Sequence, residues 1–349
     1  MIKSEHVRLE AAATVVTLTA TNKTIGEIQV AVPTSVDEVG DVVVSSTRFD
    51  GIVASFSAAT KISISSKPSS VEIAGRNSVC KIASLPANEM LPTFKTDGII
   101  LGTIELTGND VGELLDTAVA ANRDERTRRS LCGVCLSNAG DVTAFTATNG
   151  LFLSTINVPG KFLPEEDRSC ILPLPAIAVL RSLTSRIKVE MLRVQRSRSL
   201  ITFETAAFRF SSPLIDGVFP ACQHLIPKNA DSSRVFIDRS ALLASLQRMQ
   251  AAATTPIPLV TLIWNDGGET VNLSLTREPT TAVDALSCET SGSESITLHL
   301  EQLVRLLTSL NCSAVILETA GSQPLVMRGD DRLLLLVRSS WEGKEEIAA

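Results

Sequence analysis

Val15-Val16-Thr17-Leu18-Thr19-Ala20-Thr21-Asn22 returns further along the chain as Val142-Thr143-Ala144-Phe145-Thr146-Ala147-Thr148-Asn149. The Thr-Ala-Thr-Asn tetrads start at 19 and 146, 127 residues apart. A weaker third copy is Val271-Asn272-Leu273-Ser274-Leu275-Thr276. Self-similarity at a fixed interval means one structural unit used several times. Each copy alternates in character with period two, as a half-buried strand does.

The interval holds away from these phrases. Val42-Val43-Val44-Ser45-Ser46 leads into a helical stretch over Thr47–Phe56, Cys170-Ile171-Leu172-Pro173 into Leu174–Leu183, and Ser295-Ile296-Thr297-Leu298 into His299–Leu310. After each helix comes an alternating segment: Lys61–Ile64, Ile187–Glu190 and Val315–Glu318. A closing strand and a proline-bearing linker follow twice, through Ser84-Leu85-Pro86 and through Pro213–Pro220. A further helix opens the last two copies. Over Asn109–Ala121 it places Val111, Leu114, Leu115 and Ala118 on one face, and over Asp238–Met249 it does so with Leu242, Leu243, Leu246 and Met249. That is the spacing of an amphipathic helix, with Asp238 as N-cap. The first copy has no counterpart. The expectation is an α+β chain of three tandem domains, 1–104, 105–231 and 232–349. Each has antiparallel sheets and two helices, except the first, which lacks its opening strand and helix.

The 349 residues suffice for three cores, and the charged fraction of 20% is that of a globular protein. A net charge of −6 argues against a chain that is basic throughout, though not against basic residues gathered on one face. No apolar run reaches membrane-spanning length and Met1–His6 has no signal-peptide character, so a cytoplasmic protein is expected. Seven scattered cysteines suit a reducing compartment. Cys132-Gly-Val-Cys135 has redox or metal spacing, but Leu131–Leu136 reads as a hairpin strand ending in the turn Ser137–Asp141. A redox pair would normally open a helix, and a zinc site would need two more ligands.

Several phrases in order resemble the bacterial DNA polymerase III β subunit, the sliding clamp. Leu131-Cys132-Gly133-Val134 is similar to its Leu-Asn-Gly-Val, and Ala147-Thr148-Asn149-Gly150 to its Ala-Thr-Asp-Gly. Leu214–Pro220 continuing through Ile226–Asn229 resembles its domain linker, and Arg76 through Leu85-Pro86-Ala87 its first-domain ending. The resemblance implies the DNA-clamp fold, and two chains closed head-to-tail into a ring of six domains, helices inward and sheets outward. It implies a non-catalytic processivity factor that encircles duplex DNA without reading sequence. Polymerase, clamp loader and repair proteins would dock through short peptide motifs. There are departures. The chain starts near the family's second strand. Val337-Arg338-Ser339-Ser340-Trp341 replaces its Met-Pro-Met-Arg ending, arginines replace aromatics near the DNA-facing loop, and tyrosine is absent.

Such a protein needs no nucleophile, metal or cofactor, and no P-loop or nucleophile elbow is present. His6, His224 and His299 have no metal-ligating neighbours in sequence. Helix-borne Arg48, Arg181, Arg186, Arg239, Arg248 and Arg305 are candidates to line the ring, contacting phosphates. The bland alternative is a set of solvated helix faces. Arg123, Arg126, Arg128 and Arg129 form a denser loop that the resemblance places toward DNA; otherwise it is an exposed charged turn. The resemblance puts the peptide groove at Leu131, Thr148, Gly150, Leu151, Leu153, Pro220, His224 and Leu225, with Pro324 near the C-terminal strand. The competing role for Leu131, Leu153 and Leu225 is plain core. Leu151 stands where the family has a histidine. Two rival functions are weighed: a clamp-like decoy or partial tether that cannot close a ring, and a thiol oxidoreductase using Cys132 and Cys135.

Overall fold

The computed structural model describes residues 4–85, 94, 98–124, 126, 128–164, 169–222, 232–276, 279–321, 323–329 and 332–336. In it the sequence repeat becomes a repeated order of elements. The first copy runs β1 (His6–Ala12), β2 (Val15–Asn22), β3 (Gly26–Pro33), β4 (Gly40–Ser45), α1 (Ser46–Ser55), β5 (Ile62–Lys67), β6 (Ser70–Gly75) and β7 (Ser78–Leu85). The second runs β8 (Gly102–Thr107), α2 (Gly108–Thr117), β9 (Gly133–Ala139), β10 (Val142–Thr148), β11 (Phe152–Pro159), β12 (Ser169–Pro173), α3 (Leu174–Thr184), β13 (Met191–Arg196), β14 (Leu200–Glu204) and β15 (Phe208–Pro213). The third runs β16 (Ser233–Asp238), α4 (Arg239–Ala252), β17 (Leu259–Trp264), β18 (Thr270–Thr276), β19 (Val283–Ser287), a short β20 (Glu289–Ser291), β21 (Glu294–His299), α5 (Leu300–Thr308), β22 (Ala314–Thr319), β23 (Leu325–Gly329) and β24 (Arg332–Leu336). Apart from β20, the last two copies share one order. Among the described residues, the first copy begins at the third element of that order.

Two readings need correction. Ile187–Glu190 is not a strand: the chain turns there, and the strand after α3 is Met191–Arg196. The Cys132 end of the predicted hairpin strand is also not extended. Arg129–Leu131 is a 3-10 turn with Cys132 closing it, and the strand starts at Gly133.

By proximity of Cα atoms the chain forms two compact units, residues 1–112 with 160–215, and 113–159 with 216–349. In the first, eleven strands run in the order β5-β6-β7-β4-β1-β2-β3-β15-β14-β13-β8. This sheet crosses from the first copy to the second where β3 pairs antiparallel with β15, Val30 opposite Phe208 and Glu27 opposite Ser211. Gly26 permits the approach. Its φ is +129°, and a β-carbon there would be driven into the Ser211 carbonyl. Behind the sheet Val7, Leu9, Val44, Val71, Ile73 and Ile82 form one apolar cluster. Phe203 and Phe210 stack across β14–β15 at 6.0 Å.

In the second unit β9-β10-β11-β24-β23-β22-β16-β20 run in order, with a separate sheet β19-β18-β17-β21. Here the crossing between copies is β11 with β24, Phe152 opposite Leu336 and Ile156 opposite Arg332. The registers agree to within a few residues of the repeat interval: Val30, which faces Phe208, lies 126 residues before Ile156, which faces Arg332, and Phe208 lies 124 before Arg332. α4 lies along α5. Leu300, Leu303, Leu306 and Leu307 of α5 are fully buried. Burial of that kind contributes roughly 2 kcal/mol per leucine.

Candidate functional site

The tetrad that opened the sequence builds a turn. Thr148 ends β10 and Asn149 follows it, its Oδ1 accepting hydrogen bonds from the Leu151 and Phe152 amides at 2.9 and 3.1 Å. The Thr148 hydroxyl donates to the Phe152 carbonyl at 2.7 Å and accepts from the Gly150 amide at 3.1 Å. Gly150, at φ +94°, supplies the left-handed step. Asn22 makes the same turn in the first copy, accepting from the Thr24 and Ile25 amides at 3.0 and 3.2 Å. The tetrad recurs because its threonines and alanine alternate along a strand and its asparagine folds the chain back.

The turn projects Leu151 into solvent, 48% exposed, and sends Leu153 into the interior, 2% exposed. Leu153 pairs with Leu335 of β24 and packs with Cys222 and Val326, with Phe219 and Leu333 half-buried around them. Leu131 is buried and Thr148 nearly so; Pro220 is exposed, and Pro324 half-buried. The Pro220 carbonyl accepts from the Cys222 thiol at 3.3 Å. One apolar patch therefore joins the β10–β11 turn, β23–β24 and the linker after β15. His224 and Leu225 lie outside the described residues. Phe219, Cys222, Val326, Leu333 and Leu335 belong to the patch and were missed in sequence; Phe219 and Cys222 lay within the recognised linker phrase.

The arginines divide. Arg48, Arg123, Arg126, Arg128, Arg129, Arg181, Arg186 and Arg248 are exposed, and Arg186, expected on a helix, stands in the turn past α3. Arg126 pairs with Asp124 at 3.0 Å, which holds the Asp124 carboxyl below its ordinary range, and Arg248 pairs with Asp284 at 2.5 Å. Arg128 lies against the groove turn, its Nη1 3.4 Å from where a β-carbon on Gly150 would stand. Two others are committed inward. Arg239 donates to the Leu307 and Thr308 carbonyls at 2.8 and 3.3 Å, where the C-terminal end of α5 favours a cation. Arg305 donates to the Val119 carbonyl at 2.6 Å and lies over the Phe152 ring, 5.6 Å from its centroid. Burial pulls the Arg305 guanidinium below its ordinary value, and nearby Arg123 adds to the effect. Buried Arg332 of β24 forms an ion pair with Glu113 of α2 and donates to the Glu113 carbonyl at 3.0 Å.

Residues 105–221 match the family described as DNA polymerase III beta subunit, central domain. The beta sliding clamp of Synechocystis sp. is 27% identical over 168 residues, 45% of this chain and 42% of that protein. That of Pseudomonas putida is 24% identical over 224 residues, 64% of this chain and 59% of that protein. The matched part thus spans about half the length of these relatives. The DNA polymerase sliding clamp of Pseudomonas aeruginosa superposes with a TM-score of 0.84 at 20% identity, covering 96% of this chain and 91% of that one.

The chain has the bacterial sliding-clamp fold. Its middle third matches the beta subunit central domain.

In this clamp fold, Cys132 and Cys135 are structural. Both are buried, and the Cys132 thiol sits 3.6 Å from the Arg128 carbonyl. A nucleophilic thiolate needs access that these positions deny. Among the described residues, no three His, Cys, Asp or Glu side chains gather as a metal site. Nor is any helix there long and apolar enough to cross a membrane.

Proposed function

We propose that the protein is a working sliding clamp, a non-catalytic processivity factor of the cytoplasmic replication machinery. Its three domains, 1–104, 105–231 and 232–349, make half of a ring that two copies close head-to-tail around duplex DNA. The reading rests on one observation. Two joints between copies of the repeat are made within the chain, β3 with β15 and β11 with β24. The rule that pairs the third strand of one copy's first half with the last strand of the next leaves β19 and β7 over. Among the described residues β19 pairs only with β18, and β7 pairs with β6 and, at Ser84 and Leu85, with β4. Each carries an exposed valine, Val79 at 64% and Val283 at 72%. A second copy supplying β7 to β19, and taking β19 on its own β7, would satisfy both edges by strand addition.

The exposed arginines of the loop and of α1 and α3 then meet phosphates, while Arg239 and Arg305 serve as internal struts. The patch around Leu151, Pro220 and Pro324 takes the apolar anchors of polymerase and loader peptides, with Arg128 at its rim.

The rival tether that never closes has its own supporting observation: in the first copy, which would form half of each joint, β5 pairs among the described residues only with β6. Retention on nicked circular plasmid after loading, followed by linearisation, decides between them. A closed ring stays on the circle and slides off the linear form, and sediments as a dimer that Val79→Asp and Val283→Asp each split. A monomer at all concentrations, or equal retention on both DNA forms, refutes ring closure.

A further inference from the structure

Two arginines of the third copy brace the joint between β11 and β24. Arg332 is the first residue of β24 and forms its ion pair with Glu113 of α2. Arg305, the sixth residue of α5, donates to the Val119 carbonyl. The joint between β3 and β15 has apolar residues at the same two places. Phe208 is the first residue of β15 and Val179 the sixth of α3, and both are buried. In the first copy these places are taken by Ser78, the first residue of β7, and Gly51, the sixth of α1. Ser78 is exposed, and a β-carbon at Gly51 would meet nothing within 4 Å.

The registers fix what Ser78 would face. Ser45 and His299, each just before its helix, correspond, and they pair with His6 and Leu259. Three residues further along those strands, Leu9 faces Leu18 and Leu262 faces Leu273. Leu18 in turn faces Val30, and Leu273 faces Asp284. In the second copy Phe145, the counterpart of Leu18, faces Ile156. Asp284 therefore holds the place of Val30, which faces Phe208, and of Ile156, which faces Arg332. Antiparallel pairing in this register sets Ser78 of one chain opposite Asp284 of the next, and Val79 directly opposite Val283. Asp284 is already held by Arg248 of its own α4 at 2.5 Å. Glu113 is the sixth residue of α2, and the sixth of α4 is the exposed Ala244. Both ends of the ion-paired strut thus have small, uncharged counterparts.

We propose that positions 78 and 244 set the strength of the joint between two chains, and that this joint is built without the ion-paired strut that braces β11 to β24. Its holding contacts are the backbone ladder between β7 and the partner's β19 and, on the outer face, Val79 set against the partner's Val283. Val79 and Val283 are 64% and 72% exposed within one chain, and this register covers each with the other. The occupant of both edges is a second copy of this chain, because both joints within the chain are made by these same strands of neighbouring copies. The proposal rests on the ring reading above, and its test separates the two.

Installing the strut is the test. Ser78 and Ala244 are exposed, so Ser78→Arg and Ala244→Glu should leave the chain folded, which circular dichroism checks. By sedimentation equilibrium of the full chain, the double variant should dimerise about tenfold or more tightly than the product of the two single effects. Val79→Arg with Ala244→Glu is the register control. Neighbouring residues of a strand point to opposite faces, so that pair should show no coupling. Purely additive effects of Ser78→Arg and Ala244→Glu in a protein that dimerises would overturn the strut positions and leave the ring standing. Coupling at position 79 instead of 78 would overturn the register. Wild type and double variant both monomeric at every concentration would overturn the ring reading and the joint with it. A monomeric wild type that the double variant turns into a dimer would support the proposal, since the strut alone then makes the joint.

Discussion

Leu151 and Leu153 are two residues apart and both were read as groove residues, but Leu151 stands exposed in the turn before β11 while Leu153 lies within the strand and is interior. Leu153 is interior, so Leu153→Asp buries a charge and should unfold the second unit, lost as a cooperative transition in circular dichroism. Leu151→Asp should leave the melting curve unchanged and weaken a fluorescent clamp-motif peptide by about tenfold or more. Unchanged affinity would remove Leu151 from the groove. Sequence alone could not separate the two, because a resemblance transfers position and not orientation. Glu27 offers a second test at this scale. It is buried at the β3–β15 joint, accepting from Gln29 at 3.0 Å and more distantly from Thr21 at 3.4 Å, and burial pushes its carboxyl up. The folded state therefore holds this proton more tightly than the unfolded chain does. Stability falls as pH rises from the unfolded value of about 4.3 through the raised folded value. Glu27→Gln should be more stable than wild type at neutral pH, and the advantage should vanish below about pH 4. An advantage that persists in acid would show another cause.

Strands and helices were legible where the pattern was long. The amphipathic spacing located α2 and α4, and the recurring phrases located β2, β10 and β18. Ile187–Glu190 misled because four alternating residues fit a strand as well as the turn that brings the chain back from α3. The pairing of β3 with β15 was not legible at all: no local pattern joins strands 175 residues apart. Its mark in the sequence is Gly26. Gly26→Ala should lower the melting temperature by driving a β-carbon into the Ser211 carbonyl. Gly112, in α2 with open space about it, is the opposite case, and Gly112→Ala should stabilise by roughly 0.5–1 kcal/mol. Differential scanning calorimetry of both variants checks the pair; equal shifts of the same sign would contradict the joint geometry.

For the molecule as a whole, charge is the informative quantity. A net charge of −6 is compatible with the proposed ring, which needs its exposed arginines, Arg123 to Arg129 of the loop among them, to meet phosphates. Sequence-independent DNA retention should weaken steeply with salt. Arg123→Ala, Arg126→Ala and Arg129→Ala together should reduce the log–log slope by up to about 0.9 per lost phosphate contact. Arg305→Ala should instead lower stability, because that side chain braces Val119 and Phe152. A salt slope unaltered by the triple change would take the loop off the DNA-facing side. The acidic pI of about 5.3 does not argue against that role, since a sum over the chain carries no geometry.

The sheet that passes from the first copy into the second also sets a schedule for the ribosome. β3 ends at Pro33 and its partner β15 begins at Phe208, so the strand leaves the exit tunnel long before its neighbour exists. At about 5–20 residues per second the wait is roughly 10–35 s. Throughout it, a strand with exposed Val32 offers unpaired amides and carbonyls to any neighbouring nascent chain. What was duplicated in this sequence is therefore not what folds. A ribosome that stalls before residue 208 leaves a sticky edge, and holdase chaperones should engage the nascent chain across that window and release it once β15 emerges.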